Sequence, residues 1–182
     1  MARHMTVVDY SNEWPKQYER EQDLLQATLG DVLESVHHIG STSVPGLAAK
    51  PVIDILLEVQ SLDRLDALNS AMESIGYTPK GEFGIPGRRY FPKGGDERTH
   101  HVHAFASGDP LIAKYLAFRD YLRAHPAAVA EYAAVKMAAS AAHQTDPEGY
   151  VAFKHGFVEQ MVAKAVHWMS EEQTECSQEE QS

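Results

Sequence analysis

One acid stranded in a β-branched run constrains this chain more than any other feature. Asp54 sits inside Val52-Ile53-Asp54-Ile55-Leu56-Leu57. A carboxylate in such a run is costly to bury unless it is paired, hydrogen-bonded or metal-bound. The residues before it, from His38 onward, pass through Gly40-Ser41-Thr42-Ser43, a Pro45-Gly46 turn and Lys50-Pro51. This order predicts a strand, a small-residue loop with hydroxyls, a short helical turn, and a second strand that presents one acid. Small side chains at Gly40, Ser41, Thr42 and Ser43 would let a phosphate approach backbone N–H groups. Three hydroxyls could donate to it, with the positive end of the following turn behind them. An ordinary capped strand-to-helix turn is built from the same residue types. Two residues past Asp54, on the same strand face, stands Leu56, where a two-metal enzyme needs a second carboxylate.

The chain has 182 residues and a formal net charge of −10, and its lone cysteine is Cys176. A single cysteine excludes an intramolecular disulfide and a cysteine-based zinc cluster. The acidic balance argues against general nucleic-acid binding, so any anion site must be a local cluster. No run is long enough to span a membrane, and a cytoplasmic location is the expectation. Residues 1–5 are set aside as an added or disordered N-terminus. Residues 6–169 read as one domain, and residues 170–182, rich in Glu, as a disordered acidic tail.

Helical spacing of Trp14, Tyr18, Leu24, Leu25 and Leu29, with Asn12 as cap and Gly30 as stop, predicts a first helix. Strands follow near 35–39 and 52–59, then a helix over 61–74 and an extended piece at 75–79. A strand at 88–91 lies among Gly and Pro residues. Alternation over 99–105 puts His101, His103 and Phe105 on one face and His100, Val102 and Ala104 on the other. Which of the histidines meets a cleft depends on strand register. Three helices are predicted over 110–124, 126–143 and 147–169. The fold class is α/β (α+β), a small mixed sheet flanked by helices with a C-terminal helical portion.

His101 and His103 share a face, and Asp54 would complete a three-ligand set for one divalent cation. Imidazoles suit zinc better than magnesium. Alternatively, the pair hydrogen-bonds a phosphate or works as acid and base near neutral pH. Lys50, Arg88, Arg89, Arg119, Lys136 and Lys154 are the candidate anion clamp. Arg119 and Arg123 are four apart on a helix, as are Tyr150 and Lys154, so each pair shares a face.

An ordered series of motifs resembles the GrpB family of the nucleotidyltransferase-fold superfamily. It comprises His38-Ile39-Gly40-Ser41-Thr42-Ser43-Val44-Pro45-Gly46-Leu47, Lys50-Pro51-Val52-Ile53-Asp54-Ile55 and Gly76-Tyr77. Thr99-His100-His101-Val102-His103, Phe118-Arg119-Asp120-Tyr121-Leu122-Arg123, Tyr132 with Lys136, and Tyr150, Lys154 and Phe157 complete it. The resemblance also extends to domains fused to dephospho-coenzyme A kinases, and so implies either ligand chemistry or an accessory role beside a kinase or other protein partner. The superfamily pattern wants Gly-Ser, an acid pair on the next strand and a third acid on a later one. Here Gly40-Ser41 and Asp54 match, Leu56 departs, and His101 or His103 stands in the third place. The resulting expectation is a cleft for a phosphorylated small molecule, a nucleotide or a coenzyme A-related compound. In it Gly40 to Ser43 hold phosphate, Asp54 and His103 carry any chemistry, and Lys50, Arg119, Lys136, Tyr150 and Lys154 surround the ligand. Any catalysis would be phosphoryl or nucleotidyl transfer with one metal or none. A single-metal hydrolase built on Asp54, His101 and His103 is the third expectation.

Overall fold

The computed structural model describes residues 6–179, with side chains through 172; the expectations for residues 1–5 and for 180–182 lie outside the described residues. Helix α1 (Glu13–Leu29) leads through a single 3-10 turn into β1 (Leu33–Ile39). After the Ser41–Ser43 turn come β2 (Ile53–Val59), the short helices α2 (Leu62–Asp66) and α3 (Asn69–Ser74), β3 (Arg89–Lys93) and β4 (His100–Ala106). Helices α4 (Pro110–Ala124), α5 (Pro126–Ala142) and α6 (Pro147–Glu179) complete the chain. The sheet order is β1-β2-β4-β3, with β2 and β4 parallel and the outer strands antiparallel to their neighbours. Pro92 lies in edge strand β3, where its missing N–H costs least.

Strand alternation sorts the sheet into two faces. Ile53, Ile55, Leu57, Val59, Val102 and Ala104 point into one core, closed by Trp14, Leu25 and Leu29 of α1 with Leu65 and Met72. The opposite face carries Ile39, Leu56 and Phe105, which pack with Ile112 of α4. A further cluster joins Val44 and Leu47 to Leu122, Tyr132 and Met161, and so fastens the loop after the Gly-Ser turn to α4, α5 and α6.

The α/β class, the small mixed sheet and the helical C-terminal portion agree with the sequence reading. Three local details differ. The helix expected over 61–74 is broken at Ala67–Leu68, where Arg89 Nε and Nη2 donate to the two oxygens of Asp66 at 2.7 and 2.8 Å and tie the end of α2 to β3. The extended piece at 75–79 stops short of a regular strand: Tyr77 bridges Lys93, and the Thr78 and Lys80 N–H groups donate to the Pro92 and Tyr90 carbonyls. Helix α6 runs to Glu179, past the end expected at Met169 and into the acidic segment.

On the α1 side Glu21 is 7% exposed and serves as a hub. The Tyr77 hydroxyl and the Lys93 ammonium donate to its Oε1 at 2.8 and 2.6 Å. His100 faces this hub, its Nε2 3.8 Å from the Glu21 carboxylate, and takes no part in the opposite face. Glu21→Ala would leave a buried phenol and a largely buried ammonium unpaired. A loss of about 3 kcal/mol is expected by urea denaturation.

Candidate functional site

The site begins with a close approach of backbone to carboxylate. Gly40 follows β1 at φ 70°, ψ −172°, a conformation open in practice only to glycine. Antiparallel register sets Ile39 opposite Asp54. A Cβ on Gly40 would lie 2.7 Å from Asp54 Oδ2, so the missing side chain is what lets the carboxylate sit against the turn. Parallel register then brings His101 beside Asp54 and His103 beside Leu56. His101 Nδ1 and His103 Nε2 approach Asp54 Oδ1 at 3.3 and 3.4 Å. Burial alone would raise the Asp54 pKa; the hydrogen bonds from His101 and then His103 outweigh it and hold the carboxyl well below the usual range. Asp54 therefore stays ionised at any physiological pH.

Arg88 decides the state of His103. Its buried guanidinium donates to the carbonyls of Phe83 at 2.7 Å and Glu82 at 3.2 Å, lies over the Tyr90 ring, and faces His103 Nδ1 at 3.4 Å. A guanidinium only donates, so Nδ1 must accept and the His103 proton sits on Nε2, toward Asp54. This assignment comes from the network of contacts. It bears on a metal. One ligand atom each from Asp54, His101 and His103 lie within 4.8 Å of one another, and His101 Nε2 is buried without a hydrogen-bond partner. The distances suit one transition metal, but a metal on His103 Nε2 would force Nδ1–H against the Arg88 N–H. The trio fits a cation by spacing and opposes it by tautomer.

The turn residues divide. Thr42 and Ser43 are buried: the Thr42 hydroxyl meets His38 Nε2 at 2.9 Å, and Ser43 Oγ donates to the Gly40 carbonyl at 2.5 Å. Both hydroxyls hold the turn together. His38 itself stacks on Tyr18, and burial pushes its pKa down to about 4. Ser41 alone is half-exposed, beside the Tyr132 phenol. The turn spans three residues, too short to bring the macrodipole expected of a following helix.

The basic residues divide in the same way. Arg119 pairs with Asp120 at 2.7 Å and donates to the His38 carbonyl, while Arg123 donates to the Ser43 carbonyl at 2.9 Å. These two fasten α4 to β1 and the turn. Lys50 is half-buried in the loop before β2, and Arg89 is spent on Asp66 on the far face. Lys136 and Lys154 remain. Lys136, on α5, is 2% exposed, donates to the Ala48 carbonyl at 3.0 Å and lies over the Tyr132 ring. Lys154, on α6, is half-buried over the Tyr150 ring at 4.5 Å. Burial, reinforced by the charge of Lys154, pushes the Lys136 pKa down to about 7, and burial also lowers that of Lys154. The Asp54 charge acts on both lysines in the opposite sense. Among the described residues neither lysine has a carboxylate within ion-pair distance.

Tyr115 and Lys114 of α4 also border this region, with Ile39, Gly40, Asp54, His103 and Val162, around a cavity of about 370 Å³. No sequence motif marked Tyr115 or Lys114; only the packing of α4 over the sheet brings them in.

Fold and site together define a small α/β protein whose glycine turn cradles one ionised aspartate between two histidines, with one buried and one half-buried lysine on the helices packed over the turn. The chain belongs to the GrpB family, whose model, described as GrpB protein, matches residues 4–164. The protein YqkA of Bacillus subtilis is 43% identical over 166 residues, covering 91% of this chain and 48% of the relative. A dephospho-CoA kinase of Mycolicibacterium paratuberculosis is 31% identical, covering 86% of this chain and 44% of the kinase. The chain thus spans about half the length of each of these two relatives. The crystal structure of the conserved protein GrpB from Enterococcus faecalis has 40% identity and a TM-score of 0.87, covering 90% of this chain and 99% of that one.

Proposed function

We propose that the region where helices α5 and α6 pack over the glycine turn binds a phosphorylated small molecule. The phosphate sits between Lys136 and Lys154, with Ser41 and Tyr132 donating to it, and a ligand hydroxyl meets Asp54 Oδ2. The observation that carries this reading is the buried Lys136 with the half-buried Lys154, neither of them, among the described residues, in ion-pair contact with a carboxylate. Two ammonium groups drawn out of water, with the Asp54 charge acting on both but no carboxylate in ion-pair contact, are costly on their own. A bound anion relieves both the repulsion and the desolvation. The similarity to a dephospho-CoA kinase is in keeping with a ligand of this chemistry.

Asp54, kept ionised by its two imidazoles, can accept a hydrogen bond from the ligand hydroxyl and orient it; a carboxylate held this far below the usual range is a weak base. Among the described residues no second carboxylate joins Asp54, and Leu56 is buried beneath it. This favours binding, or phosphoryl chemistry at a single acid, over two-metal nucleotidyl transfer. Inorganic phosphate, AMP and coenzyme A, each at about a hundredfold over its dissociation constant, are expected to stabilise the protein by about 2.7 kcal/mol, a rise of several degrees in melting temperature. Lys154→Met should remove most of that rise while leaving the unliganded melting temperature unchanged or higher. A wild-type protein that responds to none of the three at millimolar concentration would count against the reading.

A further inference from the structure

The cavity beside Asp54 is apolar in a way the phosphate subsite is not. Its walls are Ile39 from β1, Ile85 from the 80–88 loop, Leu111, Tyr115 and Phe118 from α4, and Val158 and Val162 from α6. Asp54, His103 and Gly40 lie at one end, shared with the turn, and the exposed Lys114 marks the rim. At about 370 Å³ it is at the small end of the range for small-molecule sites. The loop that roofs it is tied down from beneath, because Arg88 grips the carbonyls of Glu82 and Phe83 while touching His103.

We infer that the ligand is an amphiphilic phosphomonoester, with a compact apolar or aromatic body of one- to two-ring size seated in this cavity and its phosphate at Lys136 and Lys154. This rests on the phosphate reading above and narrows it. A polyol phosphate leaves the seven apolar walls unfilled, and a ligand the size of a whole coenzyme must keep most of its length outside. Ile85 from the loop and Val162 from α6 both line the cavity and limit how large the body is. Recognition of the body is by apolar contact, with Tyr115 and Phe118 as the aromatic surfaces nearest it.

Three probes separate the parts: glycerol phosphate, 1-naphthyl phosphate and 1-naphthol, titrated calorimetrically into the whole chain. Naphthyl phosphate is expected to bind at least about tenfold more tightly than glycerol phosphate, through apolar burial alone. Val162→Phe, which fills the cavity, should bring the two within about twofold and leave glycerol phosphate unchanged. Ile85→Ala, a truncation on the loop at the edge of the α4 packing, should also weaken naphthyl phosphate selectively, and it stands as the test if Val162→Phe does not fold. Equal wild-type affinities for the two phosphates would overturn this inference and leave the phosphate reading in place. Binding of naphthol as tight as that of naphthyl phosphate, with no response to glycerol phosphate, would instead overturn the phosphate reading and this inference with it.

Discussion

Lys136→Met is expected to make the unliganded protein more stable and its phosphate binding much weaker. In the folded chain burial and the charge of Lys154 bring the Lys136 pKa down to about 7. In the unfolded chain it returns to the ordinary lysine value near 10.4. Between those values the unfolded state holds the extra proton, so the contribution of Lys136 to stability rises with pH from about 7 and is at its worst below pH 7. Replacing the ammonium by a methyl thioether removes that cost at the expense of one hydrogen bond to Ala48. A net gain of about 2 kcal/mol at pH 6.5 follows, or roughly 4–8 °C in melting temperature for a chain of this size. The gain should shrink steadily as pH rises toward 10. Phosphate-dependent stabilisation should fall at least about tenfold in affinity in the same variant. A thermal scan across pH 6 to 10, with and without phosphate, checks both halves. A buried charge kept at a stability cost is the pattern of a functional residue.

Gly40→Ala carries the second large effect. The substituted residue would have to hold φ 70°, ψ −172°, at a cost of about 1–3 kcal/mol, while its Cβ pressed on Asp54 Oδ2 at 2.7 Å. The expected loss is about 3 kcal/mol by chemical denaturation, with ligand binding abolished because Asp54 is pushed out of its place between the histidines. Asp54→Asn is the control that separates the two consequences. It keeps the shape, so it should weaken binding with a much smaller loss of stability. Equal stability of Gly40→Ala and wild type would mean that the turn and the carboxylate are not in contact as described.

Much of this was legible in the sequence, for reasons that can be named. Asp54 stood out because one acid in a β-branched run violates the pattern around it, and the Gly-Ser turn because its small residues lie directly before that strand. Alternation placed His101 and His103 on a shared face, with His100 opposite. The side of the sheet that each face meets was decided by the parallel pairing of β4 on β2, a contact between segments almost fifty residues apart that no local pattern encodes. Composition could not show that the Thr42 and Ser43 hydroxyls turn inward, because a hydroxyl that holds a turn and one that holds a ligand are the same side chain. Arg119 and Arg123 share a helix face as their spacing required, yet both are spent on backbone carbonyls. The break between α2 and α3 was hidden for a similar reason: apolar spacing reports which face is buried, and Leu65 and Met72 do face the core, but it does not report the Arg89 pair at the end of the first helix.

The central claim is that Lys136 and Lys154 hold a phosphate against the Gly40 turn. A crystal structure of the protein grown with 1-naphthyl phosphate tests it most directly. The account predicts phosphate oxygens within hydrogen-bond distance of both ammonium groups and of Ser41, with the ring system against Ile85 and Val162. A well-ordered ligand whose phosphate lies elsewhere, with the two lysines unchanged and unengaged, would contradict it.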